Sequence, residues 1–193
     1  MRAMRALLWI TLAAQLVLML FGGVSLWFPR HRVWPPPAGG GWRLYATWFL
    51  SWVSLTGVFL MAVLGENSLR FPVWLRIGAG VPFLVLGASL IAWAFRALSV
   101  DTTLGRGGPL VRSGPYRWSR NPQYVGACIY LAALVFLSGS HHVAIGCLVI
   151  AAWFLATPFV EEPWLAERYG DEYARYLREV PRFVGLRALP AAA

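Results

Sequence analysis

Five long apolar stretches follow one another along the 193-residue chain and are separated by short polar segments. They cover residues 6–28, 44–64, 73–97, 123–138 and 143–160. A helix needs about 20 mostly apolar residues to cross the hydrocarbon core of a bilayer, whereas a transmembrane β-barrel would show shorter segments of alternating polarity. The pattern predicts an all-α, multi-pass transmembrane helical bundle of about five spans, in which residues 1–193 form a single membrane domain.

The last two apolar stretches are joined only by Ser138-Gly139-Ser140-His141-His142. So short a connection makes the two helices an antiparallel hairpin. The start of one span and the end of the other then meet at the same side of the membrane, so we expect Tyr124 and Glu161 to be neighbours in space.

Beyond Pro163 the pattern changes to apolar and aromatic residues at helical spacing on one face and charged residues on the other. This pattern predicts an amphipathic helix over residues 163–180, which Pro181 ends. Such a helix either lies on the bilayer surface or forms a lid over the polar loop 98–122. Its periodicity favours neither arrangement.

The composition supports a membrane protein and excludes some chemistry. The chain is 59% hydrophobic and only 13% charged, and soluble domains carry about 25% charged residues. All 17 basic side chains are arginine, so lysine Schiff-base chemistry and a P-loop are excluded. The net charge of +9 does not indicate nucleic-acid binding, because no basic segment stands clear of the apolar stretches. We expect membrane lipids, and not nucleic acid, as partners.

The distribution of arginines predicts the orientation in the membrane. The side reached after the first, third and fifth spans holds 13 arginines, Arg106 and Arg187 among them, and the other side holds 4. Because arginine is enriched on the cytoplasmic side, the N-terminus is expected outside, with loop 98–122 and the C-terminal helix in the cytoplasm. An alanine-rich chain with arginine and no lysine is typical of a GC-rich bacterial genome, so we expect a bacterial plasma membrane.

The polar loop before the fourth span has the composition of a ligand-binding segment. Glycines at Gly105, Gly107 and Gly108 let the backbone approach a ligand closely, and prolines later in the loop restrict its conformations. In contrast, His141 and His142 at the hairpin tip have no third ligand in reach, so no metal site is expected.

Two carboxylates, Glu161 and Glu162, end the last apolar stretch. Ionised carboxylates at this depth need a cationic or hydrogen-bonding partner. One interpretation is an internal ion pair with Arg117 or Arg120. The other is a ligand that carries its own positive charge and a planar base, for which carboxylates and aromatic walls form a suitable receptor.

Two separated groups of residues in the C-terminal half resemble a known superfamily of integral membrane enzymes, the isoprenylcysteine carboxyl methyltransferases and phospholipid methyltransferases. They are Tyr116-x-x-x-Arg120-Asn121-Pro122-x-Tyr124-x-Gly126, and Glu161-Glu162 followed by Tyr169-Gly170-x-x-Tyr173-x-x-Tyr176-x-x-x-Val180-Pro181. The resemblance implies a membrane methyltransferase that transfers a methyl group from S-adenosyl-L-methionine to a lipophilic or lipid-like acceptor. It also implies a cofactor site without a Rossmann fold, capped by the C-terminal helix.

The resemblance assigns roles to individual positions, with Glu161 binding the methionyl ammonium group. Cofactor contacts carry over to Gly108, Pro109, Leu110, Val111, Tyr116, Asn121, Pro122, Gln123, Tyr124 and Glu161. Substrate contacts are assigned to Arg120, as the group that orients an anionic acceptor, and to Thr157 and Glu162. No catalytic residue is assigned, because in-line methyl transfer depends on alignment and on exclusion of water.

Two positions depart from the eukaryotic prenylcysteine enzymes and leave the acceptor open. Asn121 stands where those enzymes have histidine, and Thr157 stands where they have an arginine thought to hold the substrate carboxylate. Two alternative functions remain at this point: an NADPH-binding, sterol-reductase-like membrane protein, and a non-catalytic scaffold of the same fold.

Overall fold

The computed structural model describes residues 2–37, 41–98, 100–104 and 108–185. Gly105, Arg106, Gly107 and Arg187, which the sequence analysis used, lie outside these ranges. The α-helices are α1 (Arg2–Trp27), α2 (Gly41–Leu64), α3 (Val73–Ala97), the short α4 (Val100–Thr103), α5 (Pro122–Ser138) and α6 (His141–Glu179), and 3₁₀ turns cover Pro29–His31 and Gly114–Arg117. The described residues contain no β-strand, which confirms the predicted all-α class.

Within the described ranges, four helices are long and apolar enough to cross a membrane: α1, α2, α3 and α6. The fifth, α5, is apolar but has 17 residues, near the lower limit of about 17 for a span. The five predicted spans correspond to α1, α2, α3, α5 and the first part of α6. The protein is therefore a multi-pass membrane protein.

Contacts at the two ends of the bundle define its topology. At one end, an added Cβ at Gly65 would lie 3.1 Å from Met4 Cε and 3.3 Å from Ser140 Oγ. At the opposite end, Ser25 Oγ accepts hydrogen bonds from the backbone nitrogens of Val33 at 2.9 Å and Trp34 at 3.0 Å. We call these the hairpin end and the loop end, because the second also holds residues 108–121.

Helices α3 and α5 cross closely. A Cβ added at Gly87 would lie 2.6 Å from Tyr130 N, and one added at Gly126 would lie 3.1 Å from Gly87 O. Small residues allow two helix backbones to approach closely in a membrane. This crossing fixes α5, and with it Tyr124, against α3.

One buried cluster inside the bundle is apolar. It comes from α2, α5 and α6 and consists of Val58, Met61, Leu131, Leu134, Val143, Cys147 and Ile150.

The sequence pattern predicted that a new helix begins at Pro163. In the structure, α6 does not restart there. It continues through Pro158 and Pro163, and its regular conformation breaks at Gly170, with φ 49° and ψ −127°. Proline removes one backbone donor but is tolerated within membrane helices, whereas a positive φ requires a residue such as glycine. The chain therefore changes direction at Gly170, seven residues beyond the predicted boundary.

Candidate functional site

A cavity of about 830 Å³ opens between the helices, which lies within the range of about 300–1,000 Å³ for small-molecule sites. Its walls come from α1, α2, α3, α5, α6 and the loop before α5. Among the described residues, the only charged ones in these walls are Arg120 and Glu161, both at the loop end. The remaining walls are mainly aromatic and aliphatic.

Glu161 is a partly buried carboxylate held by neutral donors. Trp34 Nε1 donates to Glu161 Oε1 at 2.7 Å, and the Tyr124 hydroxyl donates to the same oxygen at 2.8 Å. The Tyr124 ring stacks on Phe154 with a centroid distance of 5.7 Å. Within the described chain, Glu161 forms no ion pair with an arginine. Two neutral donors supply no positive charge, so this carboxyl group is available to a cationic group of a ligand.

Glu162, the next residue, is in the opposite situation. Arg120 Nη1 donates to Glu162 Oε1 at 2.9 Å, and Arg182 binds both oxygens, through Nε at 2.7 Å and Nη2 at 2.6 Å. The hydrogen bonds from Arg182 to Glu162 raise the pKa of the arginine above its usual value. Of the two interpretations of this glutamate pair, the internal ion pair applies to Glu162. It does not apply to Glu161, which has no arginine partner within the described chain.

The last part of α6 covers the loop that precedes α5. The Tyr169 hydroxyl donates to Gly108 O at 2.6 Å, and the Tyr176 hydroxyl donates to Tyr116 O at 2.7 Å. Tyr173, Tyr176 and Val180 form a buried cluster, against which Leu110 packs. Of the two arrangements left open by the sequence, the structure therefore has the lid.

Asn121 connects the loop to the chain that follows α6. Its Nδ2 donates to Arg182 O at 2.9 Å, and the backbone nitrogen of Arg120 donates to Pro181 O at 2.9 Å. Pro122 then begins α5, a position where its missing N–H has no consequence. These bonds fix the loop end of the site from both sides.

Most residues assigned by resemblance line the cavity. They are Pro109, Leu110, Val111, Tyr116, Arg120, Asn121, Gln123, Tyr124, Thr157 and Glu161. Gly108, Pro122 and Glu162 do not line it. Gly108 instead accepts from Tyr169, Pro122 is buried at the start of α5, and Glu162 is engaged by two arginines.

The Tyr116 hydroxyl acts as a donor in the site. It donates to Gln123 Oε1 at 3.0 Å. Burial raises the pKa of Tyr116 well above the usual tyrosine value. The phenol therefore stays protonated at neutral pH and keeps its hydrogen bond to Gln123.

Two residues of the site were missed by the sequence analysis, Trp34 and Arg182. Trp34 has the position of an interfacial aromatic anchor, yet it binds Glu161 across 127 positions of sequence. No motif or periodicity in the first connector points to this contact. Arg182 follows Pro181, where helical patterning has ended.

The two histidines at the hairpin end, His141 and His142, contact each other, and His141 also contacts a serine. Their rings lie 4.0 Å apart, and His141 Nδ1 lies 2.6 Å from Ser68 Oγ. Within the part of the chain described here, no three His, Cys, Asp or Glu side chains come together as a metal site.

Fold and site together define a multi-pass membrane protein whose ligand cavity has a charged loop end and an apolar interior. The family model for phospholipid methyltransferase matches residues 75–172, which include α3, the loop, α5 and Glu161. The chain belongs to the phospholipid methyltransferase family, as the residue motifs predicted, and the family indicates a membrane methyltransferase. Searches of curated proteins and of solved structures gave no match.

Proposed function

We propose that this protein is an integral membrane methyltransferase that uses S-adenosyl-L-methionine and methylates a lipophilic or lipid-like acceptor. The observation that carries the proposal is the Glu161 carboxylate, which lines the cavity, accepts from Trp34 and Tyr124, and pairs with no arginine of the described chain.

The residues present fit this cofactor. Its ammonium group matches the Glu161 carboxyl group and the rings of Tyr116 and Tyr124 beside it. Arg120 Nε is buried without a hydrogen-bond partner among the described residues, so it is available to an anionic group of a ligand. When bound, the cofactor supplies an activated methyl group on a sulfonium.

The protein's own contribution is to position the ligands and to exclude water. Tyr169 and Tyr176 hold the end of α6 over the loop, which closes the cavity on the side of the polar residues. Alignment of two reactants in a dry site accelerates an in-line displacement without a covalent intermediate.

The cavity wall formed by α2 and α3 is our proposed route for the acceptor from the bilayer. Trp52, Phe59 and Phe95 line the cavity and are also exposed, at 61%, 50% and 42%. The backbones of these two helices do not pack closely against each other. A lipophilic molecule can therefore enter sideways from the hydrocarbon without crossing water.

We also propose that the loop end faces the cytoplasm of a bacterial cell, with the N-terminus outside. This orientation places 13 of the 17 arginines on the cytoplasmic side, and it gives a water-soluble cofactor access to the loop end.

Calorimetric titration with S-adenosylhomocysteine tests the cofactor assignment. We expect Glu161→Gln to weaken binding at least about tenfold, because a charged hydrogen-bonding partner is lost. Glu172→Gln, on the exposed face of the same helix, is the matched control and should bind as wild type does. Wild-type affinity in Glu161→Gln would contradict the assignment.

The same preparation distinguishes the methyltransferase from a reductase. S-adenosylhomocysteine should raise the melting temperature and NADPH should not, because only a ligand of the folded state stabilises it. Transfer of labelled methyl into a membrane lipid extract would then reveal the acceptor. Stabilisation by NADPH alone would overturn the proposed function.

A further inference from the structure

Unsatisfied polar atoms are concentrated in the cavity. Among the described residues, the buried side-chain atoms without a hydrogen-bond partner are Thr11 Oγ1, Gln15 Oε1, Trp48 Nε1 and Arg120 Nε. All of these residues except Thr11 line the cavity. Buried polar groups are nearly always paired in folded proteins, so unpaired ones in a ligand cavity indicate a partner that arrives with the ligand.

Gln15, on α1, and Trp48, on α2, both line the cavity. Two contacts on either side of Gln15 show which part of α2 lies beside it. The Phe21 ring is 6.4 Å from that of Trp42, and Thr11 lies against Gly57. Gln15 therefore faces the stretch of α2 from 42 to 57, which contains Trp48. We call Gln15 and Trp48 the inner subsite.

The inner subsite is adjacent to the proposed cofactor site. The Trp48 ring packs edge-on against Trp34 at a centroid distance of 6.5 Å, and Trp34 donates to Glu161. A ligand in the inner subsite would thus be one aromatic layer away from the Glu161 carboxylate.

The two atoms require complementary partners. Gln15 Oε1 needs a hydrogen-bond donor, and Trp48 Nε1 needs an acceptor. Gln15 is 1% exposed, and apolar side chains such as Leu131 and Ile150 form the walls nearby. A carboxylate or phosphate only accepts, an ammonium only donates, and either charge is costly in such surroundings. A hydroxyl group both donates and accepts without charge.

We propose that the inner subsite binds a hydroxyl group of the methyl acceptor, which is then a lipophilic molecule that carries an uncharged alcohol or phenol group at this depth; the atom that receives the methyl group lies elsewhere on the molecule. The inference deepens the proposed function and rests on it for naming this ligand the acceptor. Gln15 and Trp48 are then specificity-determining residues, and neither takes part in the chemistry.

Three probes of nearly equal shape test the subsite: 4-octylphenol, its methyl ether 4-octylanisole, and octylbenzene. Binding is measured in lipid nanodiscs without cofactor and is corrected for partition into protein-free nanodiscs. The phenol can use both polar atoms, the ether can only accept from Trp48, and the hydrocarbon uses neither. For the wild type we expect each step down this series to weaken binding about five- to tenfold.

Two variants assign the steps to residues. Gln15→Met, which keeps the length of the side chain, should abolish the difference between the phenol and the ether. Trp48→Phe should abolish the difference between the ether and the hydrocarbon. Equal binding of the three probes to the wild type, or an unchanged series in Gln15→Met, would overturn the proposal.

Stability separates a binding role of Gln15 from a structural one. Because its oxygen is unpaired, Gln15→Met should raise the melting temperature of the protein while it weakens phenol binding. A lower melting temperature would show that Gln15 supports the fold, and would reject the inner subsite.

Failure of this inference is distinguishable from failure of the proposed function. Gln15→Met should bind S-adenosylhomocysteine as the wild type does. If the wild type does not bind this molecule, the methyltransferase proposal falls and the probe series still stands. If the probes bind equally while the cofactor analogue binds, only the inner subsite is lost.

Discussion

Two consecutive glutamates, Glu161 and Glu162, have different surroundings because they are adjacent on a helix. Neighbouring residues point about 100° apart around a helix of 3.6 residues per turn. Glu161 therefore faces the cavity, while Glu162 faces Arg120 and Arg182. The first is suited to binding a ligand, and the second to connecting α6 with the loop and with the chain after α6.

Removal of the Glu162 charge should destabilise the protein. Its side chain is 17% exposed and that of Arg120 is 10% exposed, so Glu162→Gln leaves a nearly buried cation without its partner. We expect a loss of about 3 kcal/mol in the free energy of unfolding, measured by thermal unfolding in detergent.

Glu167→Gln is the control for this prediction. Glu167 lies 3.9 Å from Arg32 with its side chain 79% exposed, and exposed pairs contribute only about 0–1 kcal/mol. Equal melting temperatures for the two variants would mean that the Glu162 cluster contributes no more than a surface pair.

At the residue scale, the sequence predicts contacts between residues whose helices are joined by a short turn. Tyr124 and Glu161 meet because a short turn joins their helices, and the family motif names both. Trp34 and Arg182 complete the site through contacts that depend on how distant segments pack, and neither carries a local signal. The same holds for Gln15, which in sequence is one polar residue within an apolar span.

At the scale of elements, the α3–α5 crossing sets the position of the loop and of Tyr124. Gly87→Ala would place a Cβ 2.6 Å from Tyr130 N, so the helices must separate. We expect the free energy of unfolding to fall by about 1–3 kcal/mol, together with weaker binding of S-adenosylhomocysteine.

Gly78 provides a matched control on the same helix. No atom lies within 4 Å of a Cβ added there, and alanine has a better helix propensity than glycine by up to about 1 kcal/mol. Gly78→Ala should therefore be as stable as wild type or slightly more stable. If Gly87→Ala behaves like Gly78→Ala, close packing at the crossing is not required.

The end of the last membrane helix shows where pattern reading is limited. Pro163 and the change of composition after it predicted a new helix, but the break occurs at Gly170. A proline costs one hydrogen bond and leaves φ in the helical range, so the chain can continue. The contacts of Tyr169 and Tyr176 with the loop are tertiary, so no local pattern in the sequence reports them.

At the scale of the whole molecule, the distribution of arginines predicts the orientation. Two exposed positions are suited to an added cysteine: Glu66, at the hairpin end, and Asp171, beyond the loop end. The variants are Glu66→Cys and Asp171→Cys. With a membrane-impermeant maleimide, Glu66→Cys should be labelled in intact cells, and Asp171→Cys only in inverted vesicles.

The unsubstituted chain is the control for labelling, since its cysteines, Cys128 and Cys147, lie within α5 and α6. Labelling of Asp171→Cys in intact cells would reverse the proposed orientation and would place the loop end outside.

Along the proposed acceptor route between α2 and α3, the surrounding lipid is a competitor. A hydrophobic cavity that is open to the hydrocarbon core is filled by lipid acyl chains before an acceptor arrives. Binding of the acceptor then displaces an acyl chain and does not displace water. Measured affinities should accordingly vary with chain length and with the choice of detergent, and should respond little to ionic strength.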